Sequence, residues 1–185
     1  INYDTITTLG AQANRLILIR DQDDPSVKGC TTDTRSTTNT LSHIVIDSTG
    51  TASHNPYIGY NTCYSYSGGS SKVIIVGADA LPYTGANLSN DGVMEFNTVY
   101  CPDFFGQAQS GIHAIEYGYN QRGHVRGNTI YNADHGIVIK GGDGATTPTD
   151  YGNTGGAYGN LLIDCGISSA GMRIKGVSNS NVCNN

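Results

Sequence analysis

Five side chains of complementary chemistry lie in the C-terminal half of the sequence. Lys140, Arg173 and Lys175 are basic, Glu116 is acidic, and His113 can take up or release a proton. The chain as a whole is acidic, with a formal net charge of −5, and cations collected in such a chain attract an anion. A cation that neutralises a substrate carboxylate acidifies the adjacent carbon, and a His or Lys can then remove its proton. The sequence therefore predicts a site for an anionic ligand, with a solvated basic edge paired to Glu116 as the alternative.

Three tyrosines form a second candidate site. Each follows an asparagine by three residues, and the three are Tyr64, Tyr100 and Tyr131. Tyr presents a flat apolar face together with a hydroxyl group, which suits a sugar ring or a partner protein. Stacked aromatic rings can also simply stabilise a sheet, so this interpretation stays open beside the functional one.

A sequence repeat must position both groups. Four stretches align without gaps, and they cover residues 58–64, 94–100, 125–131 and 157–163. Two weaker copies flank them, so that one position of the repeat, which we call the anchor, is occupied by Cys30, Asn61, Asn97, Asn128, Asn160 and Asn185. Consecutive anchors are 25 to 36 residues apart. A repeat of this length predicts stacked structural units that share one continuous core.

An apolar block occurs once in each period, over residues 17–20, 44–47, 73–76, 112–115, 137–140 and 172–175. We expect its first and third positions to face the core and its second and fourth to face outward. This register makes Lys140 and Lys175 direct neighbours. It also predicts an outward apolar patch, covered by loops or by a partner chain, at Val45, Ile74, Val76, Ile115 and Val138.

These patterns predict an all-β chain, a parallel β-helix of five to six coils in which residues 1–185 form one domain. The anchor asparagines resemble the asparagine ladder of the right-handed, pectate-lyase-like β-helix superfamily, which includes polysaccharide lyases and phage tailspikes. An Asn fits the tight corner between two strands, and its amide can hydrogen-bond along the column. Because the last coil stops at Asn185 without a cap, we expect the chain to be part of a longer one.

The resemblance implies a function as well. The chain is similar to lyases of the chondroitinase and alginate lyase kind, which use a Lys and an Arg on neighbouring coils to contact uronic acids. Lys140 and Arg173 match these roles, with His113 as a further catalytic candidate. Lys175, Glu116 and the three tyrosines are then candidates for substrate binding. The expected activity is binding, with or without cleavage by β-elimination, of an anionic polysaccharide.

A structural module of a phage tail, a tailspike or a surface fibre is the alternative. Its expected partners are further copies of the chain in a homotrimer, or a capping chain. Its expected location is extracellular, on a cell surface or on a virion. The acidic charge argues against a nucleic-acid binder, and the apolar runs are too short for a membrane span. No cofactor or metal is expected, although Asp143 and Asp150 in the long insertion over residues 141–156 could hold Ca²⁺. Paired carboxylates for a glycosidase are missing.

Five cysteines occur at irregular spacing, and we expect most of them to be free thiols. In the predicted register, Cys30 and Cys63 come nearest to each other. One strand spacing and two residues separate them, which puts their Cα atoms roughly 8 Å apart, beyond the usual disulfide limit of about 7 Å. Buried cysteines then act as small apolar residues.

Overall fold

The computed structural model describes residues 5–8, 15–34, 42–47, 54–65, 72–77, 91–101, 112–118, 122–140, 156–166, 170–175 and 181–185. Over these residues the chain is all-β and its strands, numbered in chain order, form three parallel sheets. Sheet 1 contains β1 (Thr5–Thr8), β4 (Thr31–Thr34), β7 (Thr62–Ser65), β10 (Thr98–Tyr100), β13 (Thr129–Tyr131) and β16 (Leu161–Ile163). Sheet 2 contains β2 (Arg15–Arg20), β5 (Ser42–Asp47), β8 (Lys72–Gly77), β11 (His113–Gly118), β14 (His135–Lys140) and β17 (Met172–Lys175). Sheet 3 contains β3 (Ser26–Lys28), β6 (Tyr57–Gly59), β9 (Val93–Glu95), β12 (His124–Arg126), β15 (Gly156–Tyr158) and β18 (Asn181–Cys183).

Every described strand pairs with the strand three places away in the chain, so the chain visits the three sheets in turn. One passage through the sheets is called a turn here. Sheet 3 precedes each anchor residue and sheet 1 follows it. This topology is consistent with the expected parallel β-helix. None of the described residues belongs to a helix. The described part of the chain therefore contains no helix that could span a membrane.

The anchor residues are hydrogen-bonded from turn to turn. Each asparagine Nδ2 donates to the Oδ1 of the next, from Asn61 through Asn97, Asn128 and Asn160 to Asn185, over 2.9, 3.0, 2.9 and 2.8 Å. The same amide groups donate to backbone carbonyls, and Cys30 N donates to Asn61 Oδ1 at 2.9 Å. Asn61, Asn97, Asn128 and Asn160 are buried, and these bonds satisfy polar groups that would otherwise destabilise the fold.

The residue before each anchor adopts the left-handed backbone conformation. Its φ lies between 52° and 68° in Gly29, Tyr60, Phe96, Gly127, Gly159 and Asn184. Glycine adopts this conformation freely and asparagine tolerates it, whereas other residues do so at a cost of about 1–2 kcal/mol each. Tyr60 and Phe96 are therefore the strained members of this column.

The core is lined by equivalent positions of successive turns. In sheet 3 these are Val27, Ile58, Met94, Val125 and Ala157, and in sheet 1 they include Cys63, Val99 and Ile130, all buried as predicted. In sheet 2 the pairing column is Ile17, Ile44, Ile74, Ile115, Ile137 and Met172. The predicted neighbours Lys140 and Lys175 are paired in register.

The predicted register of sheet 2 is wrong in two of its strands. Ile74 and Ile115 occupy the positions expected for Val73 and Ile112. Ile74, Val76 and Ile115 therefore belong to the core rather than to an outward patch. Strand β8 is apolar at four consecutive positions, and such a run does not reveal which residues face inward. The outer column contains Val45, Ile75, Glu116 and Val138 instead, and all four are buried.

His43 is buried inside the molecule, close to sheet 1. Its Nδ1 lies 2.8 Å from Thr32 Oγ1 and its Nε2 lies 3.3 Å from Thr34 Oγ1. Burial lowers the pKa of this imidazole to about 3, because the charged form has no compensating anion there. His43 is thus a neutral hydrogen-bonding member of the core.

All five cysteines are free. Cys30, Cys63 and Cys101 are buried, Cys165 is half-buried and Cys183 is exposed. Burial raises the pKa of the Cys63 thiol to about 12 and also raises that of Cys101. The prediction of free thiols is confirmed, and the buried ones fill the core as small apolar groups.

Candidate functional site

The carboxylate of Glu116 is the centre of a polar cluster on sheet 2. Glu116 alternates along β11 with the core residues Ile115 and Tyr117. Lys72 Nζ, from the preceding turn, lies 3.2 Å from its Oε1, and Lys140 Nζ, from the following turn, lies 2.9 Å from the same atom. His113 Nδ1, three residues earlier on the same strand, lies 2.5 Å from Oε2. Three side chains from three turns thus meet at one carboxylate.

Charge keeps this carboxylate ionised although only 1% of its side chain is exposed. Burial by itself raises the pKa of Glu116, but the His113 hydrogen bond and the positive charges of Lys72 and Lys140 outweigh it. The net result is a pKa of about 2. Glu116 is therefore an anion at neutral pH that holds two lysines and orients one imidazole.

The imidazole of His113 has a second neighbour. The ring of His135, on the adjacent strand β14, packs edge-on against it with 4.8 Å between centroids. His135 is buried, and its Nδ1 lies 3.0 Å from the backbone oxygen of Ala170. Because Glu116 accepts at Nδ1 of His113, the Nε2 of a neutral His113 carries the lone pair that could accept a proton.

The structure brings together His113, Glu116 and Lys140, as the sequence indicates, but it sets Arg173 apart from them. Arg173 pairs in register with Val138, and Val138 pairs with Glu116, so the turn that contains Val138 lies between Arg173 and Glu116. It is exposed, and no described residue makes an ion pair with it. Lys175 is opposite Lys140 in the backbone register. Arg173 thus extends the cationic surface without joining the Glu116 cluster.

Sequence reasoning missed two members of the cluster, Lys72 and His135. Both pair in register with His113, one on each side. The register predicted for β8 and β11 placed His113 in the column of Arg173. This wrong register concealed that Lys72 is a neighbour of His113. His135 precedes a glycine and looked like a turn residue, whereas it begins β14.

The three tyrosines form the predicted column. Tyr64, Tyr100 and Tyr131 pair in register on sheet 1. Their rings stack almost parallel, with centroid distances of 5.0 and 4.7 Å and interplanar angles of 5° and 6°. Each is half-buried, so ring edges and hydroxyl groups remain accessible at this face. The arrangement stabilises the sheet and also offers contacts to a ligand.

A second polar network, which the sequence pattern showed only in part, runs along sheet 3. Arg126 Nε donates to Glu95 Oε2 at 2.6 Å, the neighbour relation that the repeat predicts. Tyr57 donates its hydroxyl to Glu95 Oε1 at 3.0 Å, and Arg126 Nη1 donates to Tyr158 Oη at 3.4 Å. Burial and the Glu95 hydrogen bond raise the pKa of Tyr57, which keeps its hydroxyl protonated as a donor.

Metal binding has no support among the described side chains, since no three His, Cys, Asp or Glu residues there are grouped as ligands. Asp143 and Asp150, the candidates for Ca²⁺, lie outside the described residues. The rest of the insertion over residues 141–156 also lies outside them, apart from Gly156, which begins β15.

The Glu116 cluster has the parts for two kinds of chemistry. Lysines and an arginine on one face can hold an anion, and an imidazole held by a carboxylate is a suitable general base. Comparisons of the chain with known protein families, with curated proteins and with solved structures find no match.

Proposed function

We propose that this chain is a right-handed parallel β-helix of the pectate-lyase-like kind and that it binds an anionic polysaccharide. The binding surface, called the basic face here, consists of Lys72, Lys140, Arg173 and Lys175 on sheet 2. The fold is supported by three parallel sheets visited in turn and by the asparagine hydrogen bonds. The binding is supported by the charge balance of the basic face.

One observation carries the proposal: cations outnumber carboxylates on the described part of sheet 2 around Glu116. Glu116 contacts two lysines, and Arg173 is exposed beyond them. Lys175 pairs in register with Lys140 in the backbone, which adds a further cation to the sequence of this face. A carboxylate or sulfate of a polysaccharide would balance these charges.

The pairing of His113 with Glu116 favours cleavage as a second activity of the same face. In β-elimination, His113 would take the C5 proton of a uronate while a nearby cation neutralises the uronate carboxylate. The electron pair of the C–H bond forms the new double bond, the C4–O bond breaks, and a general acid protonates the leaving oxygen. The side chain of His113 is 15% exposed, so a substrate would reach it along one edge.

The structural alternative is a non-catalytic module of a phage tail, tailspike or surface fibre. The stacked, half-buried tyrosines would suit a homotrimer or a capping chain. Both functions would place the protein outside a cell, on its surface or on a virion. Activity and oligomeric state distinguish the two.

Binding is tested by affinity electrophoresis of the whole chain in gels containing alginate, chondroitin sulfate or heparin. We expect retardation of the wild type at low salt and a loss of at least tenfold in affinity for Arg173→Glu/Lys175→Glu, because the charge reversal repels the ligand. Arg122→Glu, at an exposed position outside the basic face, makes the same kind of charge change and should leave retardation unchanged. Equal retardation of Arg173→Glu/Lys175→Glu and wild type would overturn the proposal.

Cleavage is tested by the ultraviolet absorbance of the unsaturated product. If His113 is the base, His113→Gln should retain binding and lose at least a hundredfold in turnover. Absence of both retardation and product, together with a trimer by light scattering, would favour the structural module instead.

A further inference from the structure

Two aromatic side chains, Tyr60 and Phe96, are exposed at the corner between sheets 3 and 1. Their exposed fractions are 51% and 48%, which is high for aromatic side chains. The rings are adjacent, with 5.3 Å between centroids and a 32° tilt. Together they make a small aromatic surface on the outside of the molecule.

The backbone at these two residues is strained. Tyr60 and Phe96 have φ values of 57° and 53°, while the same position in the neighbouring turns is occupied by Gly29, Gly127 and Gly159. Glycine would adopt this conformation without strain. A residue that is kept in an unfavourable conformation while its side chain faces solvent is the kind of outlier that marks function. The two rings contribute too little burial to explain their presence.

The neighbouring glycine supports the geometry of the rings. The ring of Phe96 lies over Gly127, where an added Cβ would come within 2.6 Å of it. At Gly159, one turn further, an added Cβ would meet nothing within 4 Å. On the opposite side, Lys28 Nζ lies 5.2 Å from the centre of the Tyr60 ring. The surface thus has an ammonium group at one end and open backbone at the other.

Hydrogen-bonding side chains occur on the turns next to the rings. Phe96 N donates to the backbone oxygen of Arg126, and Tyr60 N donates to that of Glu95, each at 3.1 Å. The side chain of Arg126 is 42% exposed. Described partners use its Nε and Nη1, and a guanidinium has five N–H donors in all, so it can donate further. Polar donors and a flat apolar face are therefore within one turn of each other.

We infer that Tyr60 and Phe96, with Lys28 and Arg126 beside them, form a binding site for the sugar rings of a neutral polysaccharide. A pyranose presents C–H groups on its face, which pack on aromatic rings, and hydroxyl groups at its edge, which accept from Arg126 and Lys28. A large protein interface is a poorer fit, since two rings bordered by glycines form only a small apolar area. The site lies on different sheets from the basic face and does not depend on the function proposed for that face.

The test is a glycan array of neutral and acidic oligosaccharides, probed with the whole chain in about 0.5 M NaCl, where charge attraction is screened. We expect neutral glycans to be retained. Tyr60→Gly/Phe96→Gly removes both rings and the backbone strain, so the variant should keep a melting temperature near that of the wild type and lose at least tenfold in affinity. Tyr60→Phe retains the ring and should keep binding within about threefold of the wild type.

Leu18→Thr, which removes an exposed apolar side chain on sheet 2, is the matched control and should bind as the wild type does. If the double glycine variant unfolds, Arg126→Gln provides the second measurement, with an expected loss of at least fivefold. The inference is overturned if no neutral glycan is retained, or if the glycine and Gln variants bind like the wild type. A wild-type oligomer that dissociates in the double glycine variant would also overturn it, since the rings would then be a protein interface.

Discussion

Lys140 and Glu116 meet across neighbouring turns of sheet 2, with 2.9 Å between Nζ and Oε1. The lysine that the sequence assigns to a substrate carboxylate therefore already holds a buried carboxylate of its own. Arg173, exposed and one turn further along, is the cation better placed for a ligand. Lys140 combines a structural role with any role in binding.

Removing the Glu116 charge should therefore destabilise the fold. In Glu116→Gln, Lys72 and Lys140 lose their shared anion while remaining largely buried, so we expect the free energy of unfolding to fall by about 3 kcal/mol. Urea unfolding at pH 7 measures this change in the free energy of unfolding. Asp91→Asn, which breaks an exposed ion pair with Arg122, is the control and should cost less than about 1 kcal/mol. Similar losses in the two variants would show that the Glu116 cluster is not a structural centre.

His43 should make the protein sensitive to mild acid. Its folded pKa of about 3 lies below the ordinary value of 6.5, so below pH 6.5 the unfolded chain binds a proton that the folded chain does not. The free energy of unfolding should then fall as the pH falls, by about 1.4 kcal/mol per pH unit, and level off below the folded pKa. Between pH 6.5 and 5 the predicted loss is about 2 kcal/mol.

Urea unfolding of wild type and His43→Gln across this range isolates the effect. Gln can hydrogen-bond to Thr32 and Thr34 but does not titrate. The slope of the free energy of unfolding against pH should therefore be smaller in the variant, by the contribution of about one bound proton. Glu116 stays ionised in the folded state throughout, because its pKa is about 2. Parallel slopes for the two proteins would contradict a neutral buried His43.

The asparagine column should be far more sensitive to substitution than exposed asparagines are. Asn97→Ala removes bonds to Ile58 O and Asn128 Oδ1 and leaves Asn61 N without its side-chain acceptor. Because these groups are buried, we expect a loss of about 3 kcal/mol or more in the free energy of unfolding. Asn55→Gly, at an exposed left-handed position, should change it by less than about 1 kcal/mol. A chemical denaturation curve for each variant decides the matter.

Thiol reactivity should follow burial. Under native conditions we expect Cys183 to react quickly with a thiol reagent, Cys165 slowly, and Cys30, Cys63 and Cys101 hardly at all. All five should react after unfolding without a reductant. Recovery of only one thiol in denaturant would mean that two disulfides exist, and the strand register would then need revision.

The anchor register could be predicted because an asparagine recurs at that corner in five of the six anchors. The anchor asparagines determined which residues are neighbours on sheets 1 and 3, including the pair Glu95 and Arg126 and the tyrosine stack. These anchors are Asn61, Asn97, Asn128 and Asn160. Sheet 2 lacks such a marker. Its strands are apolar on both faces, so alternation did not show that Ile74 rather than Val73 follows Ile44.

The candidate sites show the same limit. His113, Glu116 and Lys140 were found because their chemistry stands out, whereas Lys72 depended on the register of β8 and was missed. Tyr60 and Phe96 carried a usable signal, since aromatic residues replace the glycine found before other anchors. The exposure of these rings and the backbone strain beneath them became apparent only from the structure.

The pairing of every described strand with the strand three places away has a mechanical consequence. Among the described strands, each turn pairs with the turns directly above and below it, so stability passes along the axis from neighbour to neighbour. Tension applied to the two ends of the chain would load the turns in series. The molecule should lengthen in steps, each releasing the 25 to 36 residues between consecutive anchors, and stretching a single molecule would resolve those steps one at a time.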